Sequence, residues 1–358
     1  MLKKALKNKI SAISLFSSAG IGEAFLESLN IDVVVANELL KDRADLYQKI
    51  YPQTKMICGD ILTKETFNKI VKESGNVDMV IATPPCQGMS IAGKNREIAT
   101  MHNDNRNHLV FRALELIKIK KPKIILFENV PNFLKIKLPY KGSFCDIEDI
   151  LRKELGPNYI IESAVLDASD FGVPQRRLRA FVKAYKKDIV WPWPKKKNKI
   201  SVEDAIGFLP SLEAGEVSKI KWHFARNHSK EHILWMKNTP TGKSAFENKI
   251  NFPKKENGER IKGYNTTYRR ILWNEPSPTI TMRNDAISSQ LNVHPGRKQK
   301  NGTYSDARVL TPLELMILSS LPKNFPIPED TSETLIRKCL GECVPPLLVK
   351  SVLQDINL

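Results

Sequence analysis

The sequence predicts an α/β protein: a mostly parallel sheet with helices on both faces, and a smaller irregular domain inserted before the final helices. Three observations carry this. Short runs such as VDMVIA and KIILF are nearly all apolar, as strands covered on both faces require. They alternate with segments of 10–15 residues that have helical spacing. From about 191 to 305 this texture gives way to Lys, Asn and Gly with scattered aromatics. The 358 residues suit two domains at roughly 150 each, and 41% hydrophobic residues supply a real core.

The elements follow in order. ISAISLFS (10–17) reads as a strand and SAGIG as a turn. EAFLESL then has helical spacing, with Phe25, Leu26 and Leu29 on one side. IDVVVA (31–36) is a second strand ending at Asn37 and Glu38. KDRADLYQKIYP is a helix stopped by Pro52, and MICGDI carries a short third strand into Gly59 and Asp60. TFNKIVKES suggests a helix, and VDMVIATPP a fourth strand closed by two prolines. HLVFRALELIKIKKP is amphipathic, and KIILFENV is another buried strand. CDIEDILRKELG is a helix, and YIIESAVLDASDFG and RLRAFVKAY supply two more strands. WPWPKKKNK marks a boundary. TPLELMILSSLP, SETLIRKCLG and VPPLLVKSVLQDI return to helical periodicity, the last with Pro345 and Pro346 at its start. The expected division is 1–190, 191–305 and 306–358, with the final segment completing the first domain.

Lys plus Arg number 56 against 39 Asp plus Glu, a formal charge of +17, which favours a polyanionic partner. The five cysteines (58, 86, 145, 339, 343) form no CxxC pair and no disulfide framework, so a reducing compartment fits. MLKKALKNKISAISLF has too short and broken an apolar stretch for a signal peptide. No apolar run reaches the ~20 residues of a membrane span.

Chemistry gathers at strand ends. Gly20 and Gly22 allow a sharp turn and close approach of a ligand. Glu38, ending the second strand, suits both hydroxyls of a ribose. Asp60, after the third, suits an adenine amino group. Together they describe an adenosine-shaped site, whereas the glycine turn alone would be a simple tight turn. In ATPPCQGMS, Cys86 follows the fourth strand on a turn stiffened by Pro84 and Pro85, where a thiolate nucleophile is best placed. Read alone, it is equally a small packing residue; the other four cysteines are read as packing residues. Glu128 ends the apolar KIILFENV strand and suits a proton donor, or a helix cap or salt bridge. Arg177 and Arg179 alternate with Leu178 and share one face if extended, a pair fit for a carbonyl oxygen or phosphates.

In chain order these segments resemble the DNA cytosine-5 methyltransferase family. The Phe16–Gly22 loop resembles its first motif, and Pro84-Pro85-Cys86-Gln87 its nucleophile motif. Glu128-Asn129-Val130 resembles the Glu-Asn-Val motif, and Gln175-Arg176-Arg177-Leu178-Arg179 the Gln-Arg-x-x-Arg motif. Arg308-Val309-Leu310-Thr311-Pro312 with Glu314, and Gly341 with Val344-Pro345-Pro346, resemble the two last motifs. The resemblance spans nearly the whole chain outside 191–275. It implies a Rossmann-like core binding S-adenosylmethionine through Phe16, Ala19, Gly20, Gly22, Glu38, Asp60, Ile61 and Pro84, with no metal. It implies catalysis by Cys86, Glu128, Arg177 and Arg179. Cys86 would add to carbon 6 of a cytosine flipped out of duplex DNA. Glu128 would bond N3 and the exocyclic amine, and Arg179 the 2-oxygen. Departures are Ser18 and Ile21 where the family usually has glycine, Glu342 where it has asparagine, and LELMILSSLP in place of an Arg-Leu-Gln pattern.

The stretch 88–108 resembles a mobile catalytic loop, with Ser90, Lys94 and Arg96 as DNA contacts and Asn107 as a buttress. Residues 191–305 are the expected target recognition domain. Its candidate readers are Arg260, Lys262, Tyr264, Asn265, Arg269, Arg270, Arg283 and Asn284. Trp222, Trp235 and Trp273 are expected in its core. The implied partners are double-stranded DNA and a cognate restriction endonuclease acting separately, for a monomer in a prokaryotic cytoplasm. An RNA methyltransferase of the same lineage and an inactive DNA-binding homologue are the competing readings.

Overall fold

A seven-stranded sheet in the order β3-β2-β1-β4-β5-β9-β8 organises the first part of the chain. The computed structural model describes residues 9–85 and 108–357. The strands are β1 (Ile10–Leu15), β2 (Ile31–Glu38), β3 (Lys55–Cys58), β4 (Met79–Ala82), β5 (Ile124–Asn129), β8 (Tyr159–Asp167) and β9 (Leu178–Lys186). β1 to β5 are parallel; β9 runs antiparallel to β5, and β8 antiparallel to β9. This is the mostly parallel sheet that the apolar runs predict. The chain winds outward from β1 through β2 to β3, then restarts beside β1 with β4 and continues to β5. The carboxyl ends of β1 and β4 therefore flank the topological switch point, where open parallel sheets bind ligands.

Helices α1 (Lys41–Ile50), α2 (Lys64–Glu73), α3 (His108–Lys120) and α4 (Ile147–Leu155) flank this sheet. Alternate strand residues (Ile13, Leu15, Val80, Ala82, Ile125, Phe127) pack with Phe67 and Ile70 of α2, Ala113 and Ile117 of α3, and Ile150 of α4 in one buried cluster. Thr63 and Asp146 cap α2 and α4, each accepting from the amide three residues on. A hairpin, β6 (Leu138–Tyr140) and β7 (Ser143–Cys145), has no counterpart in the sequence expectations.

One expected helix is absent. The segment after Gly20 forms two separate 3₁₀ turns, Ile21–Glu23 and Glu27–Leu29. The reason is Glu23, which is drawn inward instead of facing solvent. Its carboxylate accepts from Ser14 Oγ and Tyr47 OH, both at 2.6 Å. Asn30 then adopts a left-handed conformation and ends the segment.

The chain divides into two compact units. One comprises 1–167, 178–194 and 349–358; the other comprises 168–177 and 195–348. The first is closed by Trp191, whose indole donates to the Val352 carbonyl at 2.6 Å, and by paired bonds between Val190 and Asn357. Lys183, fully buried, donates to the Trp191 carbonyl at 2.6 Å, pairs with Glu162 at 3.0 Å and lies 4.0 Å from the Trp193 ring.

The second unit has few regular elements: α5 (Val202–Ile206), α6 (Lys230–Lys237), α7 (Pro312–Leu318) and α8 (Glu333–Glu342), joined by isolated bridges. α9 (Pro346–Leu353) begins at the expected proline. Residues 306–348 gather with the inserted region, whereas the sequence reading attaches 306–358 to the first domain. Buried polar side chains account for this: Arg337 of α8 donates to the carbonyls of Asn284 and Leu310. Arg308 makes a two-pronged pair with Glu314 (2.8 and 2.9 Å) and bonds Asp306 and the Leu212 carbonyl. Trp235 is buried as expected, against Tyr268; Trp222 and Trp273 are half-buried.

Candidate active site

The loop after β1 is built from unusual backbone. Phe16 (φ 62°), Ser18 (φ 48°) and Gly20 (φ 71°) are all left-handed, and two of them are not glycine. The loop's amides bond within the protein: Ser17 N donates to the Asn37 carbonyl at 3.0 Å and Gly20 N to the Ser17 carbonyl at 2.9 Å. Ser18 occupies a position where the resembled family usually has glycine, and its positive φ explains that preference. Gly20 also needs its missing side chain: an added Cβ would stand 2.5 Å from the Tyr51 ring and 2.7 Å from the Tyr47 ring. Tyr51 OH donates to the Gly20 carbonyl at 2.8 Å. Gly22 lies in the first 3₁₀ turn, and Ala19 is buried.

Glu38 locks this loop. One carboxylate oxygen accepts from Ser18 N, and the other from Leu40 N, both at 2.9 Å. Each oxygen keeps a further lone pair for a ligand. Asn37, beside it, donates Nδ2 to the carbonyls of Ile57 and Gly59 and ties the ends of β2 and β3 together. Asp60 caps its own turn through Leu62 N at 2.9 Å. Ile61 is buried, and its carbonyl accepts from Arg112 of α3. Leu39, Leu40 and Leu62 are exposed beside these carboxylates. Cys58 is exposed there too, contrary to its expected packing role; it ends β3, where the strand pattern turns outward.

The turn after β4 is fixed from both sides. Thr83 Oγ1 donates to the Phe16 carbonyl at 3.1 Å, and Asn129 Nδ2 donates to the Pro84 carbonyl at 3.0 Å. Cys86, Gln87 and the stretch 88–107, with Ser90, Lys94, Arg96 and Asn107, lie outside the described residues. Glu128, one residue before Asn129 on β5, is buried. Arg179 of β9 reaches it, Nε to Oε1 at 2.9 Å, with both side chains largely covered. The sheet register explains the pairing: β9 lies beside β5, so the Glu-Asn-Val and Gln-Arg-x-x-Arg segments meet at adjacent strand ends.

Arg177 does not join them. Its guanidinium is buried and donates to the carbonyls of Ile280 (2.7 Å), Gly341 (2.9 Å) and Glu342 (3.1 Å). It clamps the 280–282 segment to the end of α8. Alternation puts two side chains on one face only in a regular strand, and β9 begins after Arg177, at Leu178. Gly341 serves the same clamp: a Cβ there would lie 2.4 Å from the Thr281 carbonyl group. Gln175 accepts from Ile280 N, and Arg176 pairs with Glu275.

Glu23, Asn37 and Thr83 carry roles that sequence reasoning missed. The available signals were Ser14 inside an apolar strand, which needs a partner, and polar residues closing IDVVVAN and VIAT. Burial pushes Glu23 up to about 7 despite its two hydrogen bonds. Cys145 and Cys339 are buried packing residues as expected, and Cys343 is half-buried. Hydrogen bonding from Ser143 and Lys153 holds the Cys145 thiol below its ordinary range, but Cys145 lies on the β6–β7 hairpin, not at a parallel strand end. Among the described residues no group of three metal-ligating side chains converges, and no helix is long and apolar enough to cross a membrane.

The family model of the C-5 cytosine-specific DNA methylases matches residues 10–358. The chain is 56% identical over 353 residues to the Type II methyltransferase M1.HgaI of Avibacterium volantium, covering 98% of this chain and 99% of the relative. It is 29% identical over 350 residues to M1.HphI of Haemophilus parahaemolyticus, covering 97% and 86%. Among solved structures it is similar to the Entamoeba histolytica methyltransferase EhMeth, with a TM-score of 0.63 at 16% identity, covering 98% and 99% of the two chains.

Proposed function

The chain belongs to the C-5 cytosine-specific DNA methylases and is an S-adenosylmethionine-dependent DNA cytosine-5 methyltransferase, and we propose that it works through a covalent bond between Cys86 and carbon 6 of a flipped-out cytosine. The observation that carries this reading is the meeting of three loops at the sheet's switch point: the left-handed loop after β1, the Pro84 turn that precedes Cys86, and the Glu128–Arg179 pair.

The residues fit S-adenosylmethionine. Glu38, held by Ser18 N and Leu40 N, retains lone pairs for ribose hydroxyls. Asp60 suits the adenine amino group, and the exposed leucines at 39, 40 and 62 offer apolar cover for the ring. Ala19, Gly20, Gly22, Ile61 and Pro84 shape the walls. When bound, this molecule supplies a methyl group on an electrophilic sulfonium.

Carbon 5 of cytosine is a weak nucleophile until the ring loses aromaticity. The Cys86 thiolate forms a bond to carbon 6, and carbon 5 becomes enamine-like. Glu128, after taking up a proton from solvent, donates to N3 as electron density moves there and recovers that proton when the carbon 6–sulfur bond breaks, while Arg179 bonds the 2-oxygen. Their mutual ion pair holds both groups in place beforehand. Carbon 5 then accepts the methyl group, its proton leaves to solvent base, and the carbon 6–sulfur bond breaks to return the thiolate. Arg177 acts as a positioning residue.

The protein works as a monomer in a prokaryotic cytoplasm, protecting DNA against a restriction endonuclease that acts separately. Its printed relatives are Type II methyltransferases, which supports the defensive setting. By function, 1–190 with 306–358 make up the catalytic domain and 191–305 the target recognition domain, although 306–348 fold in the same compact unit as the recognition region. Strand-by-strand mapping of 5-methylcytosine in DNA exposed to the protein and S-adenosylmethionine tests the activity. Cys86→Ser is expected to bind DNA and give no methylation; 5-methylcytosine from that variant would overturn the mechanism.

A further inference from the structure

The second unit sorts the recognition candidates of 260–284 by what their side chains hold. Arg270 is buried and donates to the carbonyls of His294, Asp306 and Met236. Arg269 forks onto the carbonyls of Asn265 and Gly242 and onto Glu247. Arg260 bonds the carbonyls of Phe246 and Asn248. These side chains, with the buried amide of Asn284, are framework. Lys262, Tyr264, Asn265 and Arg283 are exposed, but so is the whole turn 254–260. Exposure therefore singles out no reader; the way the backbone beneath is held does.

Four buried polar side chains fix the backbone of 280–284. Gln175 Oε1 accepts from Ile280 N at 3.3 Å, and Arg177 donates to the Ile280 carbonyl at 2.7 Å. Asn284 Nδ2 donates to the Thr281 carbonyl at 2.6 Å and to the Arg337 carbonyl at 3.0 Å. Arg337 returns the contact, donating to the Asn284 carbonyl at 3.0 Å and to Asn284 Oδ1 at 3.2 Å. All four side chains belong to residues at most 3% exposed. Gly341 lies directly beneath, where an added Cβ would stand 2.5 Å from Met282 N. Thr281 Oγ1 donates to the Arg283 carbonyl at 3.3 Å and draws the turn together. The exposed turns at 254–260 and 298–303 instead close on themselves, Lys255 N on the Glu259 carbonyl and Gln299 N on the Thr303 carbonyl, both at 2.8 Å.

Thr281, Met282 and Arg283 are the outward residues of this mount. Among the described residues, Arg283 forms no ion pair. Burying two guanidiniums is costly unless their donors are met. Tying the inserted region to α8 accounts for Arg177 and Gly341. It does not account for a cation left without an acidic partner at the crest of the held segment. A backbone fixed in advance lowers the entropy lost on binding, and an arginine fork matches the O6 and N7 acceptors of guanine in the major groove.

We infer that Arg283 reads a guanine of the recognition sequence, its guanidinium bonding O6 and N7 of that base. This deepens, and rests on, the recognition role proposed for 191–305. The test measures kcat/KM of wild type and Arg283→Ala on the mapped duplex, on duplexes changed at one base pair, and on duplexes carrying 7-deazaguanine at each guanine in turn. The modified base lacks the N7 acceptor. At one guanine, wild type is expected to lose about tenfold or more on this replacement. Arg283→Ala is expected to be insensitive to the same replacement and to lose discrimination at that base pair by a similar factor. Its melting temperature and S-adenosylmethionine affinity should match wild type. A rise in DNA KM that is uniform across all duplexes, with discrimination intact, places Arg283 on phosphate and overturns the inference. Wild-type kinetics of Arg283→Ala on every duplex overturn it too. Failure of the underlying reading looks different, since the wild-type protein would then methylate no duplex or methylate cytosines without regard to flanking sequence.

Discussion

The side-chain amide of Asn129 donates to the carbonyl of Pro84 at 3.0 Å, joining the end of β5 to the end of β4. Asn129 Oδ1 accepts from Val130 N at 2.8 Å, so the amide cannot turn away without breaking a second bond. Thr83, one residue earlier, holds the other side of the same turn to Phe16. Thr83 and Pro84, three and two residues before Cys86, therefore take their position from the cofactor loop and from the strand that carries Glu128.

Asn129→Ala is expected to leave the sheet intact and loosen this turn at a cost of about 1–3 kcal/mol, the price of an unsatisfied buried carbonyl. The variant should lose kcat while keeping S-adenosylmethionine affinity near wild type. Single-turnover methylation together with equilibrium binding of the methyl donor checks both halves.

The cofactor loop makes opposite demands at two positions. Gly20→Ala meets two tyrosine rings at a positive φ and is expected to cost about 2–4 kcal/mol, with weakened S-adenosylmethionine binding. Ser18→Gly relieves a left-handed non-glycine residue and should be tolerated. Thermal melting with and without the methyl donor separates the two.

The ion pair on β5 and β9 separates binding from chemistry. Glu128→Gln keeps the shape and removes the transferable proton, with an expected fall in kcat of about 10²–10⁴ and little change in DNA binding. Arg179→Ala takes the charged partner from a buried carboxylate, so it should lower stability by about 3 kcal/mol as well as activity. Denaturant unfolding beside the kinetics distinguishes them.

Acid and base act on different parts of the molecule. Burial raises Glu23 to about 7, so its stabilising contribution is complete below about 4.5 and is lost as pH rises through 7. Glu23→Gln should remove this loss, read as a convergence of the two melting curves' pH dependence between pH 5 and 8. Burial, with Arg308 nearby, lowers His294 to about 4. Burial alone would raise Glu314, but the Arg308 guanidinium overrides it and holds the carboxyl near about 2. Their contributions are present above their unfolded values and lost as pH falls, from about 6.5 to 4 for His294 and from about 4.5 to 2 for Glu314. His294→Gln should flatten the upper part of that acid limb, measured by hydrogen exchange in the second unit.

The parallel sheet was readable because its strands are apolar on both faces, and a run such as VDMVIA has few other solutions. Glu38, Asp60 and Glu128 were readable because a charged residue ending such a run sits at the strand's mouth. The failures share a cause: each depends on a partner distant in sequence. The segment 23–29 has helical spacing, yet Glu23 is held by Ser14 and by Tyr47, 24 residues away. Arg177 and Arg179 look equivalent in QRRLR, but Arg177 is spent on carbonyls more than 100 residues later. Of the recognition candidates, Arg270 and Asn284 proved to be framework, which composition alone could not distinguish from surface charge.

The indole of Trp191 finds its acceptor only at Val352. On the ribosome, the first unit must therefore wait, its strands laid down and one buried donor unmet, while some 150 intervening residues emerge and fold. A nascent chain stalled before Val352 should be protease-sensitive around the WPWP segment and become resistant once residues 349–357 arrive, so closure of the catalytic sheet waits on synthesis of the whole second unit.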